Sequence, residues 1–298
     1  MREKPGLHPS IAIGTTLTAV ARVVLADARH AVGDARRSDA RAIHDFRKVM
    51  KRWRALLRLV EPELGREARR LRRTARDLAG ELSGARDVQS AIEAAEGLAG
   101  EHGLLSPRLC ARVTRQLADM RTDPETSGLT PERRLHLQAA ITAAANSVAH
   151  WSLDALDFPE IASEIAGAYR RARRSLPKTW RKADAEILHT LRRHVVVLRY
   201  QMELLEPLWP RLGRVWTGEA QRLRDRLGDY NDLAVLASFA ARHRTLAPWR
   251  ARLAPAVAAR QADLVKSSAR LAARLFAEEP KAFRRRLIAL WEANRRKP

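Results

Sequence analysis

Ten residues of this chain occur twice at one fixed spacing. Asp39 and Ala40 open a segment that Asp184 and Ala185 open again. His44, Arg47, Arg54 and Leu59 return as His189, Arg192, Arg199 and Leu204. Glu61-Pro62 returns as Glu206-Pro207, Leu82 as Leu227 and Asp87 as Asp232, every pair 145 positions apart. One helix can match another by chance, but a constant offset across two helices and their connections predicts a structural unit duplicated in tandem. The expected organisation is one domain over residues 10–295, made of a first helical bundle over about 10–150 and a second over about 155–295, meeting near Ala149 to Pro159. Duplicated bundles pack around a pseudo-two-fold axis, which would bring the His44 and His189 segments together.

The unit is helical. Ala, Leu, Arg and Glu dominate, strand-like alternation is absent, and Gly and Pro fall mainly between periodic segments. The pattern predicts helices near 10–37, 39–60, 63–82, 85–100, 106–121 and 131–151, then 160–176, 183–206, 211–227, 230–244, 248–276 and 279–295. Thr122 to Thr130, TDPETSGLT, is the most polar break and reads as a surface loop. Arg2 and Lys4 ahead of the apolar stretch Ile11 to Ala21 are weakly signal-like. The helical period of Ile13, Leu17, Val20, Val24 and Leu25 continues past Arg22, however, and predicts a first amphipathic helix. No run reaches the 18 or so apolar residues that span a bilayer.

The chemistry concentrates in Ile43 to Val60, IHDFRKVMKRWRALLRLV. At about 100° per residue, Phe46, Val49, Met50, Trp53, Leu56, Leu57 and Val60 form a core-facing stripe. His44, Arg47, Lys48, Lys51, Arg54 and Arg58 fall opposite, with no acid among them. Solvated helix faces ordinarily mix signs. A face of one sign repels itself and calls for a compensating polyanion. The whole chain leans the same way, with a net charge of +22 and Arg greatly outnumbering Lys. That balance implies a nucleic acid, phosphate polymer or membrane surface as partner, and Arg offers a planar fork for phosphate oxygens.

The second copy repeats the faces. His189, Arg192, Arg193 and Arg199 take the polar side, and Leu191, Val195, Leu198, Met202 and Leu205 the apolar side. Val196 and Val197 stand where the first copy has Lys51 and Arg52, so the second stripe is weaker. Further cations lie at Arg66, Arg69, Arg70, Arg73 and Arg76, and in Tyr169 to Lys182, YRRARRSLPKTWRK. No nucleophile, zincin or P-loop motif occurs. His189 and His194, five apart, fall on different helix faces, so no metal site is expected, and no cofactor is implied. Asp87 and Asp232 read as helix-opening caps or Arg partners, not catalysts. Cys110 is the single cysteine, which excludes an intrachain disulfide and a cysteine metal cluster and fits a reducing cytoplasm. The seven tryptophans read mostly as core anchors, and few aromatics interleave with the basic stripes, which argues against a base-stacking binder. Nothing sets the oligomeric state.

His44-Asp45-Phe46-Arg47 followed by Lys51-Arg52-Trp53-Arg54 resembles the H-D-hydrophobic-R…[KR]-R-hydrophobic-R pattern of the CHAD, or conserved-histidine α-helical, domain. Leu82 to Val88 (LSGARDV) is similar to its LGxxRD segment. Tyr169 to Arg174, His189 to Tyr200 (HTLRRHVVVLRY) and Leu227 to Asp232 (LGDYND) resemble its second repeat. The resemblance covers about residues 10–295. It implies an all-α fold of two antiparallel helical bundles, related by a pseudo-two-fold axis around a basic cavity. It also implies non-enzymatic binding of inorganic polyphosphate at cytoplasmic polyphosphate granules. Carried onto this chain, the implied ligands are His44, Arg47, Lys51, Arg52, Arg54, Arg170, Arg173, Arg174, His189, Arg192, Arg193 and Arg199, beside Lys48 and Arg58 from the helix-face reading. Nucleic acid is the second candidate partner.

Overall fold

The computed structural model describes residues 6–34, 36–82, 84–100, 103–120 and 129–295, with the side chains of 84–86 excepted. The polar stretch at 121–128, Ser83 and the cations Arg2 and Lys4 lie outside the described residues. What is described is all-α, with no strand among the described residues. In chain order the helices are α1 (Ile13–Gly33), α2 (Asp39–Leu59), the single turn α3 (Glu61–Leu64), α4 (Arg66–Glu81), α5 (Gly84–Ala99), α6 (Pro107–Asp119) and α7 (Pro131–Ala149). They continue as α8 (Phe158–Arg174), α9 (Ala185–Glu203), α10 (Pro210–Arg242), α11 (Arg250–Leu275) and α12 (Pro280–Arg295).

Local chemistry sets the limits. Ser106, Thr130, Asp157 and Asp184 stand just before α6, α7, α8 and α9, and each side chain accepts from a backbone N–H three residues on. Asp157 and Glu160 form a reciprocal capping box, with Pro159 in the first turn where it has no hydrogen bond to break. One expectation fails. The segments 211–227 and 230–244 are not two helices but the single α10, and Asp232 lies inside it rather than opening a helix. Gly228 supplies no break: it is buried, and the apolar period runs through it from Leu223 and Leu227 to Leu233, Leu236 and Ala240.

Packing follows the helix faces. α2 buries Phe46, Met50, Trp53 and Leu57 along one stripe and Ala42, Ile43, Ala55, Leu56 and Leu59 beside it. It therefore has neighbours on several sides: α1, α4 and α9. Trp53 is 2% exposed and stacks on Trp151, ring centroids 5.8 Å apart and 2° from parallel. Phe158 stacks on Trp291, and Tyr169 on Phe283, tying α8 to α12. Trp209, by contrast, is 51% exposed and anchors no core.

The helix limits recur at the offset of 145: α1 with α8, α2 with α9, α6 within α11, α7 with α12, and α4 plus α5 along α10. The neighbours recur too, since α1 packs on α2 and α7 as α8 packs on α9 and α12. Two contacts join equivalent segments. α2 crosses α9, where Gln201 Nε2 donates to the Ala55 carbonyl at 3.2 Å and the Tyr200 hydroxyl to that of Lys48 at 3.4 Å. A second core forms where α5 meets α10, with Val88, Ala91 and Ala95 buried alongside their counterparts Leu233, Leu236 and Ala240. This core also takes in α6 and α11, so it draws on both halves of the chain.

Candidate functional site

The C-terminal half of α2 turns Arg54 and Arg58 away from the Trp53 stripe. One helical turn separates them, so both point to one side. There they meet cations from three other helices: Arg72 and Arg76 of α4, Arg171 of α8, and Arg193 with His194 of α9. α4 lies beside α2 because Ala68, Leu71, Ala75 and Leu78 bury one of its faces, which leaves Arg72 and Arg76 at the edge. α8 and α9 arrive through their contacts with each other and with α2.

The electrostatics of this cluster are strained. Partial burial, and then the charges of Arg193, Arg76 and Arg72, push the Arg54 guanidinium below its ordinary value. Arg58 is pushed down the same way, by burial and then by Arg72, Arg171 and Arg54. Arginine keeps its proton in proteins, so the outcome is standing repulsion. Two members have acidic partners: Arg72 is paired with Glu61, and Arg76 with Asp77 at 3.0 Å. Among the described residues, Arg54, Arg58, Arg171 and Arg193 have no ion-pair partner. Two mainly apolar hollows lie elsewhere, one beside Trp53 and Leu71, the other beside Leu236 and Val257.

The residues singled out from sequence divide. Arg54, Arg58 and Arg193 come together. His189, Arg192 and Arg193 are neighbours on α9: partial burial, then Arg192 and Arg193, lower the His189 imidazole, against a hydrogen bond with Asn231. Arg47 Nη1 donates to the Ala79 carbonyl at 2.6 Å, near the C-terminus of α4, where a cation suits the helix dipole. Its counterpart Arg192 lies against Gly228, where an added Cβ would come within 3.3 Å of the guanidinium. Lys51 is half-buried on α2, and His44 and Lys48 are exposed there. Arg170 and Arg174 are exposed on α8. Three residues have committed partners. Arg52 pairs with Asp27 of α1 at 3.4 Å; Arg173 grips both Glu279 carboxylate oxygens at 2.9 and 2.6 Å and donates to the Phe276 carbonyl; Arg199 pairs with Glu203 and stacks over Tyr200.

Four members of the cluster lie outside the ligand set expected from sequence. Arg171 counts there only as part of the basic stretch Tyr169 to Lys182, whereas Arg173 is singled out; Arg76 counts only as a further cation, and Arg72, one turn before it, had the same claim. His194 was weighed only against metal spacing with His189. It is half-buried, its Nδ1 lies 3.1 Å from the Ser175 hydroxyl, and burial followed by Arg171, Arg193 and Arg58 lowers its pKa.

An arrangement of fixed, mutually repelling guanidiniums on four helices is suited to an extended anion with many oxygens. A family profile described as CHAD domain matches residues 19–241, about three quarters of the chain. The chain belongs to the CHAD family. CHAD domains are linked to polyphosphate binding, and the family is generally a binding rather than a catalytic one. No curated protein matches the chain. No described helix of this CHAD protein is long and apolar enough to cross a membrane.

The depressed histidines carry an expected pH dependence. Partial burial, and then the neighbouring cations, disfavour imidazolium at His194 and His189. A polyanion placed among these cations would oppose their field and raise both pKa values, so a complex would take up protons that the free protein does not. Affinity for a phosphate polymer at constant ionic strength should therefore increase as pH falls from 8 toward 6. A flat profile would remove the histidines from the binding equilibrium.

Proposed function

We propose that this CHAD protein binds inorganic polyphosphate, or a closely similar phosphate polyanion, without turning it over, and that it does so in the cytoplasm at polyphosphate granules. The observation that carries this reading is the cluster of Arg54, Arg58, Arg171 and Arg193, half-buried or exposed at the junction of α2, α4, α8 and α9 and lacking carboxylate partners among the described residues. Phosphate oxygens would accept from the guanidinium forks and relieve the repulsion that now depresses Arg54 and Arg58. The ligand repeats one charged group without bases, which suits arginines that, among the described residues, stack on no aromatic ring. The recurrence of helix limits at 145 residues, together with the contacts of α2 with α9 and of α5 with α10, supports a duplicated unit with a two-fold relation between its halves.

Counterion release sets the test. With six guanidiniums in the cluster, the logarithm of affinity should fall with the logarithm of salt at a slope of roughly −4, taking ~0.7 per neutralised charge. Polyphosphate should also resist displacement by duplex DNA at equal phosphate concentration and physiological salt. Efficient displacement would favour nucleic acid as the partner.

A further inference from the structure

The two equivalent ends of the α2–α9 crossing differ in charge. At one end stand Arg54, Arg58, Arg72, Arg76, Arg171 and Arg193 with Glu61 and Asp77, six cations against two anions, a net +4. The same eight positions at the other end hold Arg199, Glu203, Thr217, Gln221, Ala26 and Lys48, with Glu206 and Arg222. Three cations now face two anions, a net +1. His194 is likewise replaced, by Val49.

The substitutions preserve the geometry while removing the charge. Glu61 takes Arg72 as its partner; its counterpart Glu206 accepts from the Thr217 hydroxyl at 2.7 Å, so the same contact persists with the guanidinium gone. Arg54 and Arg58 lie one turn apart and repel. Their counterparts Arg199 and Glu203 lie one turn apart and pair, both well covered, with the Arg199 guanidinium 4.6 Å from the centre of the Tyr200 ring. Gln221, in the place of Arg76, donates to Asp225 at 2.7 Å. A pair such as Arg199–Glu203 is self-compensated: a phosphate approaching Arg199 would meet the Glu203 carboxylate.

We propose that this protein holds a phosphate chain at one end only: a short linear oligophosphate segment is bound at the Arg54–Arg58 end, and Glu203 closes the equivalent end to it. The proposal rests on the polyphosphate reading above and adds a stoichiometry and a gatekeeping residue to it. A duplicated fold with two working ends would lay the polymer across both helices. A one-ended site grips a short stretch or a terminus and leaves the rest of the polymer free for further copies of the protein.

Calorimetric titration with tripolyphosphate and with long-chain polyphosphate separates the possibilities. The wild type should take up one tripolyphosphate per chain. Glu203→Arg reverses one charge, frees Arg199 and adds two units of positive charge to the silent end. It should raise long-chain affinity about tenfold, which is about 1.4 kcal/mol, and steepen the salt slope by between about one and two. Glu203→Gln, which still offers Arg199 an acceptor, should produce part of that gain and serves if Glu203→Arg loses its helical circular dichroism. Two tripolyphosphates of similar affinity per wild-type chain would overturn one-endedness, as would long-chain binding with no tripolyphosphate binding. A single tripolyphosphate with both Glu203 variants unchanged would overturn Glu203 as the gate. If neither phosphate chain binds the wild type at physiological salt, the polyphosphate reading itself falls, and this proposal with it.

Discussion

Changing Arg54 and Arg58 together to Met should lower polyphosphate affinity about a hundredfold or more while leaving the protein at least as stable. Methionine keeps an unbranched apolar stem and removes the charge. Each guanidinium lost removes a charge-assisted contact of about 1.5–3 kcal/mol, so two together remove about 3–6 kcal/mol of binding. Stability should move the other way. Both guanidiniums sit below their ordinary pKa because burial and neighbouring cations disfavour their charge, and deleting that repulsion should raise Tm by about 2 °C. The pairing of effects is diagnostic, since binding residues commonly carry a stability cost that structural residues do not. Arg52→Met and Arg173→Met are the contrast. These break the links to Asp27 and Glu279, so they should lower Tm and change affinity by less than about threefold. Anisotropy titration and thermal melts on the same preparations read both quantities.

Trp53→Ala should have the largest effect on the fold, about 3–5 kcal/mol of destabilisation. Trp53 is 2% exposed and stacked on Trp151, and it borders a hollow that already lies among α1, α2, α4 and α7, so truncation enlarges an existing void. Trp209→Ala, at 51% exposure, should change stability by no more than about 0.5 kcal/mol. Urea unfolding of the two variants compares them directly. Under conditions where Trp53→Ala remains folded, its affinity per folded molecule should match the wild type, because Trp53 faces the core and not the cation cluster.

The helices were legible where an apolar stripe and turn chemistry agreed. Residues 39–60 and 183–206 were expected to be helical and are found as Asp39–Leu59 and Ala185–Glu203. The segments 211–227 and 230–244 form one helix because the backbone stays helical through Gly228, which gives Arg192 room and ends nothing. For the site, the uncompensated face of α2 was visible as spacing, and two residues of that face, Arg54 and Arg58, lie beside cations of other helices. The partners of Arg52 and Arg173 were not visible, since Asp27 and Glu279 lie 25 and 106 positions away and meet them only through packing. The Arg199–Glu203 pair was open to view as a spacing of four. Matching copies by residue type drew attention to Arg199, the counterpart of Arg54, and away from the acid that neutralises it. Arg171 and His194 join the cluster through the mutual packing of α2, α8 and α9, a relation that periodicity within any single helix does not contain.

The central claim, that a phosphate polymer sits among Arg54, Arg58, Arg171 and Arg193, is tested most directly at His194, which lies within the field of three of these arginines. Histidine NMR titration with and without saturating polyphosphate follows that ring alone, with His194→Gln making the assignment. Because proton and polymer binding are linked reciprocally, the His194 pKa should rise from its depressed value when polyphosphate binds. A His194 pKa that stays where it was while the polymer saturates the protein would place the ligand elsewhere and contradict this account.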